Sequence, residues 1–193
     1  MYTPQHFEIT DRDTALAFIK VNGFGQLIST VNGRLFSSHL PFYLAADGLS
    51  LMCHVAKKNP QWQEIEQQQV LISFQGPHDY VSPSWYNTPG VPTWNYQAVH
   101  VYGRPRLIQQ REKLEDIIAE LTRLHESAFE KPWTPEYSDA LLDAIVGIEI
   151  PIDEIQCKYK LGQNRPQADR RQVSDQLERR GSVQLAQAMK DTL

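Results

Sequence analysis

The sequence predicts an α+β domain that is mainly β, a small antiparallel barrel with flanking helices. Three observations carry this reading. Runs of strand length, rich in β-branched and aromatic residues, recur at Gln26 to Val31, Leu49 to Val55, Val70 to Phe74 and Ala98 to Tyr102. Asn32-Gly33 stands between Gln26 to Val31 and the return strand Arg34 to Phe36, and a type I′ hairpin turn needs positive φ at both central positions. Arg111 to His125 places Leu114, Ile117, Ile118, Leu121 and Leu124 on one face at helical spacing. Strands joined by hairpins, with few helices between them, close into a barrel that leaves no open edge.

Taken in order, Thr10 is placed to cap a short helix through Thr14, Leu16 and Ile19, with Asp11 and Asp13 favourable in its first turn and Gly23 ending it. After the hairpin, Ser37 to Leu44 continues the return strand, where Pro41 demands an edge or a bulge. Asp47-Gly48 makes the next turn, and a short helix follows the third strand through Trp62, Ile65 and Glu66. Phe74 to Gly103 is the densest stretch in the chain. Prolines 77, 83, 89 and 92 break helix and ladder there, and Tyr80, Trp85, Tyr86, Trp94 and Tyr96 carry ring surface that needs a partner. It reads as a long ordered excursion, one wall of a site or one half of a subunit interface. The Ala98 strand extends past Gly103 to Leu107 and Ile108. A second short helix lies near Pro135 to Asp143, and Ile145 to Ile150 is a strand stopped by Pro151. Residues 156–193 read as a basic helical segment packing on or near the site, within a single domain spanning residues 1–193.

The totals exclude several classes. A net charge of -4 argues against a protein that coats nucleic acid. Cys53 and Cys157 are far apart and lack metal-ligand spacing; with no signal peptide or membrane span in view, a reducing cytoplasm is expected. The six histidines form no His-x-His or His-Glu-x-x-His pattern, so no metal site is expected. Ser82 and Ser84 lie near His78 without a nucleophile elbow, and Gly23-Phe24-Gly25 lacks the rest of a dinucleotide loop.

Chemistry concentrates in the turn after the third strand. His54, Lys57, Lys58 and Asn59 precede a helix start that Asn59 can cap and Pro60 can open. Amides at such a start plus two lysines suit a phosphate, although a Lys-Lys pair is more commonly a solvated turn. His39, between Ser38 and Leu40-Pro41-Phe42, is placed either to orient a ring system or to serve as a hydrogen-bonded strand histidine. His78 follows Gly76-Pro77, and His100, within a strand, reads as a core residue.

These words resemble a known family. His39-Leu40-Pro41-Phe42, Lys58-Asn59-Pro60-Gln61-Trp62, Phe74 to His78, Tyr80 to Tyr86, Val91 to Tyr96 and Lys160-Leu161-x-Gln163-Asn164-Arg165 are similar to the PaiB family, described as FMN-binding negative transcriptional regulators. The resemblance implies an FMN-binding split β-barrel like pyridoxamine phosphate oxidase, working as a homodimer with flavin at the subunit interface. It implies that His54, Lys57, Lys58, Asn59 and Gln61 lie about the phosphate and that Ser38, His39, Leu40 and Pro41 border the flavin. It further implies that Trp85, Trp94 and Asn95 reach the cofactor from the other subunit, and that Lys160, Gln163, Asn164 and Arg165 cover it. Two readings of function follow, an FMN-binding regulator that contacts DNA and an FMN-dependent oxidoreductase of unknown substrate; a haem-handling barrel is a third. The sequence supports DNA contact only through the arginines of its tail.

Overall fold

The computed structural model describes residues 1–134 and 137–193, with residue 139 described by its backbone alone. The chain divides into two compact units: residues 1–18, 75–100 and 156–193 form one, and residues 19–74 and 101–155 form the other. The expected helix near Pro135 begins at α3 (Asp139–Asp143), and its first part lies outside the described residues.

The second unit contains most of the hairpin architecture. Helix α1 (Arg12–Val21) leads into β2 (Phe24–Val31), after the two-residue strand β1 (Glu8–Ile9). The helix is capped by Asp11 rather than Thr10, since the Asp11 carboxylate accepts from the Thr14 amide at 2.9 Å. An ionised carboxylate one residue nearer the helix is the stronger acceptor there. Asn32 and Gly33 adopt φ of 49° and 73°, the positive values a type I′ turn requires. The hairpin returns as β3 (Arg34–Pro41), pairing from Val31 with Arg34 to Phe24 with Pro41. The order runs β6-β2-β3, so β3 is an edge strand, and Pro41 costs no ladder bond on a neighbour. A further sheet has the order β4-β5-β9-β8, built from β4 (Tyr43–Leu44), β5 (Ser50–Ala56), β9 (Ile145–Pro151) and β8 (Arg106–Ile108). Leu51, Cys53 and Val55 of β5 and Val146, Ile148 and Ile150 of β9 are buried at every second position. Helix α2 (Arg111–Glu126) adds Leu114, Ile117 and Leu121 to this core, while Leu124 stays exposed.

Two strands differ from their expected bounds. β6 runs from Val70 to Val81, straight through Pro77, and β7 runs from Thr93 to Gly103. The excursion therefore shrinks to the eleven or so residues about the 3-10 turn Pro83–Trp85. The reason is period-2 burial. Along β7 the buried positions are Asn95, Gln97, Val99, Val101 and Gly103, and the first two are polar, which hides the alternation from a hydrophobic count. Proline tolerates extended φ and removes only one donor from the ladder. The strand also ends at Gly103 rather than continuing to Ile108. A Cβ at Gly103 would fall 2.1 Å from the Pro151 carbonyl oxygen, and β8 belongs to a separate sheet.

In the first unit the order is β1-β10-β7-β6, with β1 antiparallel to β10 (Glu154–Lys160). Residues 156–160 are thus strand, not helix; Cys157 and Lys158 pair with Ile9 and Glu8. Helices α4 (Gln167–Arg179) and α5 (Val183–Lys190) follow, and pack Val173, Leu177, Leu185, Ala186 and Met189 against Val81 and Leu161. Trp85, Tyr86 and Tyr159 lean on this cluster, which gives two of the excursion's rings the partner they require. Leu177 is fully buried at its centre. Leu177→Ala should lower unfolding free energy by roughly 2–5 kcal/mol, the range for a truncated buried leucine; denaturant unfolding measures it, and a loss under about 0.5 kcal/mol would place the α4–α5 pair outside the cooperative fold.

Candidate functional site

The turn that joins β5 to β6 is built around two amides. Asn59 caps the 3-10 turn Pro60–Gln63, its side-chain oxygen accepting from the Gln61 amide at 3.0 Å, while its Nδ2 donates to Ser38 Oγ at 2.8 Å. Gln61 is fully buried; its Nε2 donates to the Leu27 carbonyl at 3.0 Å and to Ser29 Oγ at 2.9 Å. The Lys57 amide donates to the Ala144 carbonyl at 2.8 Å, and the Trp62 indole donates to the Lys57 carbonyl at 3.0 Å. Hydrogen bonds therefore hold the turn at Lys57, Asn59 and Gln61, with Gln61 anchoring it from inside the core.

What the turn presents is cationic. Lys57 and Lys58 are exposed, and among the described residues neither ammonium has an acidic or hydrogen-bonding partner. Next to them on β5, His54 is partly buried, its Nδ1 is orphaned, and burial pulls its pKa below the ordinary histidine range. Its imidazole is thus held neutral near pH 7. Ser38, His39, Leu40 and Pro41 lie along β3; Ser38 is tied to Asn59, and the exposed His39 ring stacks on Phe24 with centroids 6.4 Å apart. The structure brings Ser38, Asn59 and Gln61 into one bonded group, with Lys57 and Lys58 in the same turn.

The first unit gathers the remaining candidates. Asn95, Lys160, Asn164 and Arg165 line one cavity of about 150 Å³, together with Phe7, Tyr86, Val91, Thr93 and Gly162. Lys160 Nζ donates to Thr93 Oγ1 and, at 2.6 Å, to the Trp94 carbonyl. Burial, and then the neighbouring Lys158, lower its pKa. The Arg165 guanidinium lies 4.5 Å from the centre of the Tyr86 ring and donates to the Pro89 carbonyl at 2.9 Å. Gln163 spends its amide within its own turn, accepting from the Leu161 amide at 2.8 Å and donating to the Tyr159 carbonyl at 2.6 Å. Trp85 does not line the cavity; it packs on the helical cluster beneath Arg180. Trp94 is half exposed and meets His78 and Tyr80 at 6.5 and 6.2 Å.

Sequence reading missed Tyr86 as the platform for Arg165 and Thr93 as the partner of Lys160, although both stand inside the aromatic words. It also missed Asp169. This carboxylate is buried in the first turn of α4 and accepts from the Asn87 amide at 2.8 Å and from Thr88 Oγ1 at 2.5 Å, pinning the excursion. An acid in the first turn after a proline was the available signal.

The long antiparallel strands, the paired sheets and the flanking helices define a split-barrel flavoprotein fold. The flavocytochrome Anf3 from Azotobacter vinelandii superposes with a TM-score of 0.67 at 15% identity, covering 83% of this chain and 73% of that one. The FAD and heme binding protein from Mycobacterium smegmatis superposes with a TM-score of 0.63 at 14% identity, covering 80% of this chain and 74% of that one. Residues 1–154 match the family described as "Putative FMN-binding domain", and the chain belongs to that family, with FMN as its cofactor. Among its relatives is the Protease synthase and sporulation protein PAI 2 of Bacillus subtilis, 38% identical across 100% of this chain and 98% of the relative, which bears out the PaiB resemblance. An uncharacterized protein of Emericella nidulans is 32% identical over 85% of each chain.

The Asp169 contacts set a pH dependence. The Thr88 hydroxyl, then the Asn87 and Thr88 backbone, hold its pKa below the ordinary carboxylate value. Its contribution is complete above the unfolded-state pKa and is lost as pH falls through the lower folded value. Trp85 fluorescence should therefore change on acidification in the native protein, and Asp169→Asn should show the altered signal already at pH 7. An unchanged profile in the variant would mean the excursion is held by other contacts.

Proposed function

We propose that FMN is held in the second unit, with its phosphate on the turn of Lys57, Lys58 and Asn59 and its ring beside Ser38 to Pro41. The observation that carries this is the pair of unpartnered lysines on a turn whose backbone is fixed by the buried Gln61 amide. A dianionic phosphate supplies the partner that the protein withholds, and charge-assisted bonds to a preset turn cost little ordering. The orphaned Nδ1 of His54 fits the same donor set. When bound, an isoalloxazine supplies hydride or electron transfer, and the chain supplies orientation and shelter from water. His39 and Phe24 offer a stacking surface on the open edge of β3. The ring of Phe24 in the second unit, 65% accessible, is apolar surface that a second copy would cover, so we take the working form to be a homodimer.

Of the activities open to an FMN-binding protein of the PaiB type, flavin chemistry is the one this geometry supports best. Three tail arginines are committed inside the first unit: Arg165 to Pro89, Arg170 to Thr192 and Arg180 over Trp85. Arg171 and Arg179 of α4 remain exposed, but the chain as a whole carries a net charge of -4, which works against a phosphate backbone. The regulatory reading draws its support from the sporulation role in the name of the Bacillus subtilis relative.

Replacing both Lys57 and Lys58 by Ala should weaken FMN by at least about tenfold, or ~1.4 kcal/mol, and leave riboflavin unchanged; fluorescence titration of both flavins reads the difference, and equal losses would place the phosphate elsewhere. Titration with duplex DNA at falling salt tests the regulatory reading. No association is expected even at low ionic strength, where phosphate attraction is greatest; salt-dependent binding would favour the regulator.

A further inference from the structure

The cavity of the first unit holds two cations and no acid. Its walls carry the Lys160 ammonium, the Arg165 guanidinium, the amides of Asn95 and Asn164, and the apolar faces of Phe7 and Val91. Lys160 is half-buried, and both of its named acceptors, Thr93 Oγ1 and the Trp94 carbonyl, are neutral. One of its three N–H donors stays uncommitted. Arg165 gives one of its five donors to Pro89, and its plane is set by the Tyr86 ring. Gly90 makes that stack possible: a Cβ there would fall 2.4 Å from the Tyr86 ring. Asn95, 2% exposed, is fixed by the Met189 sulfur at 3.4 Å. Two cations facing one cavity with no acid among its lining residues favour an anion there.

We propose that this cavity is a binding site for a small organic carboxylate, with its oxygens toward Lys160 and Arg165 and its apolar body toward Phe7 and Val91. All of its lining residues belong to the first unit. Size limits the ligand. About 150 Å³ is room for about five waters at ~30 Å³ each, and it is below the ~300 Å³ at which pockets for drug-sized ligands begin. The planar guanidinium matches a carboxylate fork, and the apolar wall gives an organic acid an advantage over a bare inorganic anion.

Isothermal titration of the flavin-loaded protein with benzoate, benzamide and inorganic phosphate tests the assignment. Benzoate should saturate at one per chain, with benzamide at least about tenfold weaker because it lacks the charge. Lys160→Met and Arg165→Gln should each weaken benzoate about tenfold or more, while Arg165→Lys should retain part of the affinity. Absence of saturable benzoate binding, equal binding of benzamide, or benzoate affinity indifferent to both substitutions overturns the site. Phosphate binding more tightly than benzoate overturns the carboxylate assignment. The benzoate and benzamide comparison uses only the native protein, so it decides the matter even if a variant fails to fold.

Discussion

A buried glutamine amide holds the turn on which the cofactor reading rests. Gln61 has no exposed surface, and its Nε2 bridges the Leu27 carbonyl and Ser29 Oγ inside β2. Removing it would strand those acceptors at roughly 1–3 kcal/mol each. More to the point, it would free the short 3-10 turn that Asn59 opens. The lysines beside it are exposed, and in the proposed FMN site a backbone held beneath them would present both charges to the phosphate.

Uncompensated positive charge recurs in both units. A typical surface lysine finds an acid or stands in water, and the ion pairs formed elsewhere follow that rule: Arg111 with Glu115, Arg123 with Glu120 and Lys190 with Glu178. Those pairs lie on helix faces and contribute little. Lys57 and Lys58 stand exposed on their turn, and Lys160 and Arg165 line a cavity with no acid among its lining residues. A chain with 23 acidic residues had acids to place there. Cations gathered without acids are what the two proposed anion sites have in common.

Much of this was legible before any coordinates. The Asn32-Gly33 hairpin, the edge position of Pro41, the α2 stripe and the Asn59 cap each follow from local chemistry, and each stands where that chemistry put it. The failures have a common cause. Asn95 and Gln97 are polar yet buried, so the alternation of β7 did not look like a strand, and Pro77 made β6 look shorter than it is. Lys158 is buried in β10, bonded to the Tyr2 carbonyl and lying 5.2 Å from the centre of the Tyr96 ring, so a strand was taken for the start of a basic helix. Both errors concern polar residues whose partners are distant in sequence. At the cavity, the Lys160 to Arg165 word was visible, but the Tyr86 platform and the Thr93 acceptor lie more than sixty residues earlier, and only folding shows who meets whom.

The basic tail is the clearest case of charge turned inward. In sequence it looks like a surface for anions of any kind. In the folded unit, Arg170 binds the Thr192 carbonyl and hydroxyl near the chain end, Arg180 lies over Trp85, and Asp169 takes the opposite sign to tether Asn87 and Thr88. These contacts fasten α4 to the aromatic excursion and to the end of α5. Arg165, alone among them, is held against a ring beside open volume. Arg165, Arg170 and Arg180 thus do structural work in the first unit, while Arg171 and Arg179 of α4 stand exposed. On the reading proposed above, charge held within the unit in this way suits small anions better than a polyanion.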